Sequence, residues 1–315
     1  EGSSKLAGGQ YSALMTQLGG EANAFTLTDA TAFPLTLPAS RLEIALEAMA
    51  DIMASATLSD APFARELAVV MAERREDVDN NPWALALEHH LLLAYGNSGY
   101  GTPVIGHKTD LGHMTPAAAR TWYQTWYHPN NATLAVAGAI TLAQLQTLVT
   151  RHFAAIPAHR LPARQIPAEP SSLARRVQTL RQQGLRTGVI ISFNLPSQCT
   201  AQSESQAYAL RLLPQILAQG QASILPRLLV HDEPLLQGVG AKYEPWQRGD
   251  SLLIIYAFCS PQVAPEAAAE RLLMEIEAFR QSAPGKEDLQ RAKARLLAGQ
   301  LFDRDDISHQ ADAIG

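Results

Sequence analysis

Apolar positions recur at helical spacing through most of the chain and alternate in a few short runs, which divides it into helices and strands. Gly8 to Leu18 reads as a short amphipathic helix stopped by Gly19-Gly20. Asn23–Leu27 and Thr31–Leu37 read as two strands across the turn Thr28-Asp29-Ala30, with Pro34 pushing the second toward an edge or bulged position. Ser40-Arg41-Leu42-Glu43 has the form of a capping box, opening a helix whose Leu42, Leu46, Met49 and Met53 share a face. Asp60 is placed to cap a helix of about five turns over Ala61–Pro82, and Pro82 then fits the first position of another, Trp83–Tyr95, closed by Gly96. Asn97–Gly112 is too rich in Gly and polar residues to predict an element. Thr115-Pro116 caps a helix carrying Trp122, Tyr123, Trp126 and Tyr127, an aromatic cluster that reads as core. A strand at Thr133–Ala137 and a helix at Leu142–Phe153 follow.

Pro157, Pro162, Pro167 and Pro170 then make 156–172 a semi-rigid linker and the expected domain boundary, between 1–155 and 173–315. Beyond it the pattern predicts strands at Arg176–Leu180 and Val189–Phe193, helices at Glu204–Leu217 and Ala222–Val230, and strands at Leu236–Tyr243 and Leu252–Phe258. Helices at Glu266–Arg280 and from Glu287 complete it. Strand-then-helix at Thr133–Phe153 matches strand-then-helix at Leu252–Phe279 in order and length, which suggests duplication of one α+β unit.

The helix over Ala61–Pro82 carries the candidate chemistry. Phe63, Leu67, Val70 and Met71 give it an apolar stripe, and Glu66 and Glu73, seven apart, fall within roughly 20° of each other at the margin of that stripe. Carboxylates at a buried margin are costly unless a cation meets them. Two readings follow: ion pairs to Arg65, Arg74 or Arg75, or a metal held by Glu73 with Glu66 supporting it.

Composition narrows the class. The 315 residues are 47% hydrophobic and 17% charged, which suits a well-cored globular chain of two domains. A net charge of −5 with no basic run argues against nucleic acid as a partner, and no apolar stretch approaches the roughly 20 residues of a membrane helix. Cys199 and Cys259 have neither a disulfide framework nor zinc-site spacing. The chain begins at Glu1 without Met or a signal-peptide pattern and stops in a segment of helical character, so truncation at both ends is expected.

The histidines add little. His89 and His90 are adjacent on a helix, about 100° apart, so they cannot face one ion; one is expected on the surface and the other in helix packing. His107, His113 and His128 read as turn residues, and Asp303, Asp305 and Asp306 as a solvated helix end. No Gly-rich phosphate loop follows a strand.

Taken together, GGEANAFTLTDATAF (19–33), ARELAVVMAERREDVDNNP (64–82), YGTPVIGHKTDL (100–111) and YHPNNATLAVAG (127–138) resemble the pitrilysin, or insulinase-like, family of inverted zinc peptidases, which includes the mitochondrial processing peptidases. The resemblance implies an α+β fold of two homologous α/β-roll domains, their mixed or antiparallel sheets packed by helices, together forming half of a clam-shell chamber. It implies zinc held by the two His of H-x-x-E-H and a later Glu, with the motif's Glu activating water. Glu73 matches that later ligand and Glu66 the supporting acid, while Asn23, Ala24 and Phe25 match the strand edge on which the family lays its peptide substrate. No H-x-x-E-H occurs in these residues, so tight zinc binding and activity are not expected of the chain alone. The family's assisting Arg and Tyr, seven apart, are matched by Val230 and Gln237, which implies a homologous partner subunit that supplies them. The alternative within the same fold is a non-catalytic subunit that completes the chamber and binds substrate. Bacterial relatives of this kind suggest the cell envelope or periplasm.

Overall fold

The computed structural model describes residues 2–96, 98–164 and 174–315. The chain is α+β, with many helices and small antiparallel sheets, and it divides into two compact units that are not contiguous in sequence. One comprises residues 1–75, 104–165 and 302–315; the other comprises 76–103 and 166–301. The sequence places its division at 156–172 instead, a stretch of which 165–172 lies outside the described residues.

In the first unit, α1 (Gln10–Gln17) leads into a hairpin made of two short ladders: β1 (Glu21–Ala22) pairs with β4 (Leu35–Thr36), and β2 (Phe25–Thr26) with β3 (Thr31–Ala32). Pro34 falls between the ladders and can donate nothing there, so the expected pair of continuous strands is interrupted at that point. The next helix, α2 (Leu42–Ser55), is preceded by a 3-10 turn and has no side-chain cap; the expected capping box is not formed, because Glu43 turns to Arg151 instead. Met15, Ala45 and Ala48 form a small buried cluster joining α1, α2 and the hairpin. Then comes α3 (Asp60–Arg74), continued by a π-helical turn over Arg75–Asp79. Asp60 lies inside α3 rather than at its cap and pairs with Arg120. Leu58, between α2 and α3, has φ +39°, and its carbonyl accepts from Arg120.

Further helices of this unit are α5 (Lys108–His113), which forms where the sequence predicts only loop, α6 (Pro116–Trp126), α7 (Leu142–Phe153) and, at the end of the chain, Ile307–Ile314. Thr115 caps α6, as its spacing predicts. The aromatic cluster of α6 divides by face. Tyr123 Oη bonds Ile52 O (2.9 Å) and Met53 O (2.8 Å) and accepts from Ala56 N (3.0 Å), closing the end of α2. Trp122 is 63% exposed, so it is not core. The expected strand at Thr133–Ala137 pairs with no described segment, and neither does Arg176–Leu180 of the second unit, whose residues are exposed nearly throughout. Pairing, not propensity, makes a strand.

The second unit begins with α4 (Pro82–Tyr95), capped by Asn81, whose side chain accepts from Trp83 N and Ala84 N. Its sheet has the order β5 (Gly188–Leu195), β7 (Ser251–Cys259), β6 (Leu236–Tyr243), antiparallel throughout. The middle strand, β7, is a continuous apolar run and is covered on both faces, as such runs require. Leu253, Ile255, Ala257 and Cys259 point to one side, into a core with α8 (Glu204–Leu217), the short α9 (Ile224–Pro226, continued by a π turn to Asp232) and α10 (Pro265–Gln281). Leu252 and Ile254 point to the other, against Leu91, Tyr95 and Tyr100. Trp83 of α4 packs on Tyr256 and Phe258, and His90 Nε2 lies 2.9 Å from Ser192 Oγ of β5. His90 is therefore a packing residue, as expected of one of the pair, while His89 is half-buried rather than on the surface. The chain ends with α11 (Lys286–Asp303) and α12 (Ile307–Ile314). Helix, hairpin, helix, helix is the order both of α1 to α3 and of α9 to α11, whereas the expected match of Thr133–Phe153 to Leu252–Phe279 lacks its first strand.

Two predictions follow from these contacts. Tyr123→Phe takes the hydroxyl from Met53 O, while Ala56 N and Ile52 O keep the bond between them (3.2 Å), and should cost about 1 kcal/mol in urea unfolding. Burial holds the His90 imidazole below the ordinary histidine range, whereas the unfolded chain protonates it near 6.5. Stability from this residue should be complete above that pH and fall as pH drops toward the folded value. His90→Gln should flatten that part of a pH–stability profile.

Candidate functional site

The candidate site is built on α3. Taking 100° per residue, Phe63, Leu67, Val70 and Arg74 fall in one stripe, and all four turn inward to half-buried or buried positions. Arg74 is only 5% exposed because its guanidinium reaches Gly106 O at 2.7 Å, securing α3 against the segment before α5. Glu66 and Glu73 lie roughly 70–90° around the helix from that stripe, with about 10 Å of rise between them. Both are exposed, with Val69 (58% exposed) further round on the same side. Neither is bridged to Arg65, Arg74 or Arg75, and among the described residues neither makes any ion pair. The expected buried margin is thus a solvent-facing flank, because no described element packs there.

Asn23, Ala24 and Phe25 lie at the middle of the hairpin. Asn23 N donates to Pro34 O (3.1 Å) and Leu27 N to Ala30 O (2.7 Å), so these odd-numbered residues face the partner strand. By strand alternation, the backbone groups of Ala22, Ala24 and Thr26 face the outer edge, which pairs with no described strand. The Ala24 N–H on that edge is satisfied by Asn23 Oδ1 at 2.8 Å. Phe25 is 39% exposed. No hydrogen bond or ion pair of the described residues joins these three to Glu66 or Glu73.

Val230 packs against the core of the second unit, and Gln237 sits where the β6–β7 register shifts, its Oε1 accepting from Arg186 at 2.7 Å. Neither is an Arg or a Tyr in kind, and both have structural work in place.

Sequence reasoning missed Asp51. It is 8% exposed, on α2, and its carboxylate accepts from Ser3 Oγ, Ser4 Oγ (2.6 Å), Ser55 Oγ (2.9 Å) and Lys5 N (3.2 Å). Thr57 N adds a bond to Gly2 O (2.9 Å). Residues 2–5 are thus tied to the last turns of α2. Burial alone pushes the Asp51 carboxyl upward, but the serine hydroxyls and the Lys5 N–H outweigh it and hold it below the ordinary carboxylate range. An acid within the apolar run MADIMAS was the available signal.

Residues 1–108 match the family described as Insulinase (Peptidase family M16), and residues 113–296 match the Peptidase M16 inactive domain. The chain belongs to peptidase family M16. An uncharacterized zinc protease of Mycobacterium leprae is 25% identical over 252 residues, which cover 78% of this chain and 54% of that protein. The M16 chain therefore spans about half the length of that relative. Among solved structures, a protease from Helicobacter pylori superposes with a TM-score of 0.88 at 24% identity, over 98% of this chain and 75% of that one. The periplasmic protease PqqL from Escherichia coli gives a TM-score of 0.76 at 18% identity, over 99% of this chain and 36% of that one. At these identities the superpositions establish the fold.

Zinc, which the family names imply, is not accommodated by the described residues of this M16 chain alone. No group of three His, Cys, Asp or Glu among them could hold a metal ion. Zinc needs three protein ligands and one open position for catalysis, or four in a closed site.

Asp51→Asn should lower the unfolding free energy by about 1–3 kcal/mol at neutral pH, since four donors lose a charged acceptor. The contribution of Asp51 is present above its unfolded pKa of about 3.9 and is lost as pH falls through its lower folded value, so the variant's deficit should shrink in acid. Limited proteolysis near residues 2–5 reads the same clamp locally.

Proposed function

We propose that these residues are part of an M16 zinc metalloendopeptidase that cleaves peptides or unfolded chains, and that they are inactive alone. The observation that carries this reading is the pair Glu66 and Glu73, on one exposed flank of α3 and without an ion pair among the described residues. Unpaired acids gain nothing for the fold of either unit, whereas a metal site needs an ionised ligand free to meet its ion. Glu73 is the zinc ligand in this proposal; Glu66, two turns away, supports it through a neighbouring ligand. The zinc protease named in Mycobacterium leprae supports the choice of metal. The outer edge at Asn23, Ala24 and Phe25 receives substrate as an added strand, with Asn23 Oδ1 giving up the Ala24 N–H to a substrate carbonyl. Among the described residues no helix is long and apolar enough to cross a membrane. The periplasmic site of PqqL supports a location in the cell envelope.

The domain division in this proposal is 1–155 and 173–315, each half one copy of the family unit. A homologous subunit completes the chamber, because Val230 and Gln237 stand where the assisting Arg and Tyr are expected. The match of residues 113–296 to the Peptidase M16 inactive domain favours a second reading, a non-catalytic subunit that holds substrate for a catalytic partner.

Zinc content separates the two. In the protein with its native N-terminus, about one zinc per chain, lost on Glu73→Ala with the fold retained, is expected for the peptidase. A zinc-free protein overturns the peptidase reading in favour of the non-catalytic subunit.

A further inference from the structure

Residues 132–138 of the first unit, ATLAVAG, have the composition of a strand and lack its partners. Ala132 is extended (φ −123°, ψ 146°), and from there to Ala137 the chain has no helix, turn or bend. Hydrogen bonds stand at either end, Ala132 N to Pro129 O and Ile140 N to Gly138 O. Between them no backbone N–H or C=O of residues 133–137 bonds to any described residue. Water serves such groups well on an open surface, but Ala135, Val136 and Ala137 are half-buried. Backbone groups that are withdrawn from water are paired in more than nine cases out of ten. In the second unit β7, of similar composition, is laddered on both edges along most of its length.

We propose that Thr133–Ala137 is an acceptor strand, completed by a β-strand from the part of the M16 chain that lies outside these residues. Its chemistry selects a strand over a helix or an apolar side chain: what is unsatisfied is a row of donors and acceptors at strand spacing, which only another extended backbone matches. The source is argued from length. The Helicobacter pylori structure is covered to 75% and the Mycobacterium leprae relative to 54%, so relatives carry further chain that could supply it. The inference rests on the proposal that these residues belong to a longer M16 chain, and on nothing about zinc or catalysis.

Hydrogen exchange tests it, comparing the 315-residue protein at two concentrations with the longer protein. In the shorter protein the amides of residues 133–137 should exchange without protection at both concentrations; in the longer one they should slow by on the order of 100-fold or more. Equal exchange in the two proteins overturns the proposal. Protection that grows with concentration, together with a dimeric mass, also overturns it, because the occupant is then a second copy of the chain. Thr133→Pro gives an independent reading, since its N–H is unbonded here and extended Ala132 already suits a following proline. It should leave the urea midpoint of the shorter protein unchanged and lower that of the longer one; loss in both, or in neither, counts against the acceptor strand.

Discussion

The second unit depends on the burial of β7 from both sides. Ser251–Cys259 is apolar nearly throughout, so alternation sends Leu253, Ile255 and Ala257 toward α8 and α10, and Leu252, Ile254 and Tyr256 toward α4. A strand with two apolar faces must be central, which places β5 and β6 on its edges and calls for a helical layer above and below. α4 supplies one of those layers although it lies about a hundred residues earlier in the chain than β5. The compact unit is therefore discontinuous in sequence.

The first unit has no equivalent centre. Its hairpin is held by two ladders of two residues each, and its fully buried cluster is small. What fixes its elements is largely polar: the Tyr123 hydroxyl at the end of α2, the Arg74 guanidinium on Gly106 O, and the Asp51 carboxylate gathering residues 3–5. Such bonds are directional and set where elements lie, but each adds modest net stability. Among the described residues of this unit, Glu66 and Glu73 have no ion pair and Thr133–Ala137 no ladder.

Family membership and site chemistry therefore rest on different footings. The fold follows from the M16 matches and the superpositions. The chemistry depends on a few side chains, and a fold shared by active and inactive members leaves it open. The orientation of the two carboxylates on α3 ties this particular chain to metal chemistry in the proposal.

Local signals in the sequence determined the helices well. Pro82 at the first position of α4 and Thr115 before Pro116 are short-range devices, and each forms where the spacing predicts it. The three paired strands of the second unit were legible too, because a run such as LLIIYAFC has one stable environment, whereas the expected strand at Arg176–Leu180 did not form. The seven-residue spacing of Glu66 and Glu73 fixed their shared face on any straight helix. Only tertiary structure decided the rest. It exposed that face, because nothing described packs on it; it turned Trp122 outward and Tyr123 inward on one helix; and it left Thr133–Ala137 without a ladder. The Asp51 clamp joins residues nearly fifty apart, a distance at which neither propensity nor periodicity carries information. The physical reason is common to all of these. Caps and periods are interactions within a turn or two of chain, whereas exposure, pairing and long-range hydrogen bonds depend on which other segment arrives alongside.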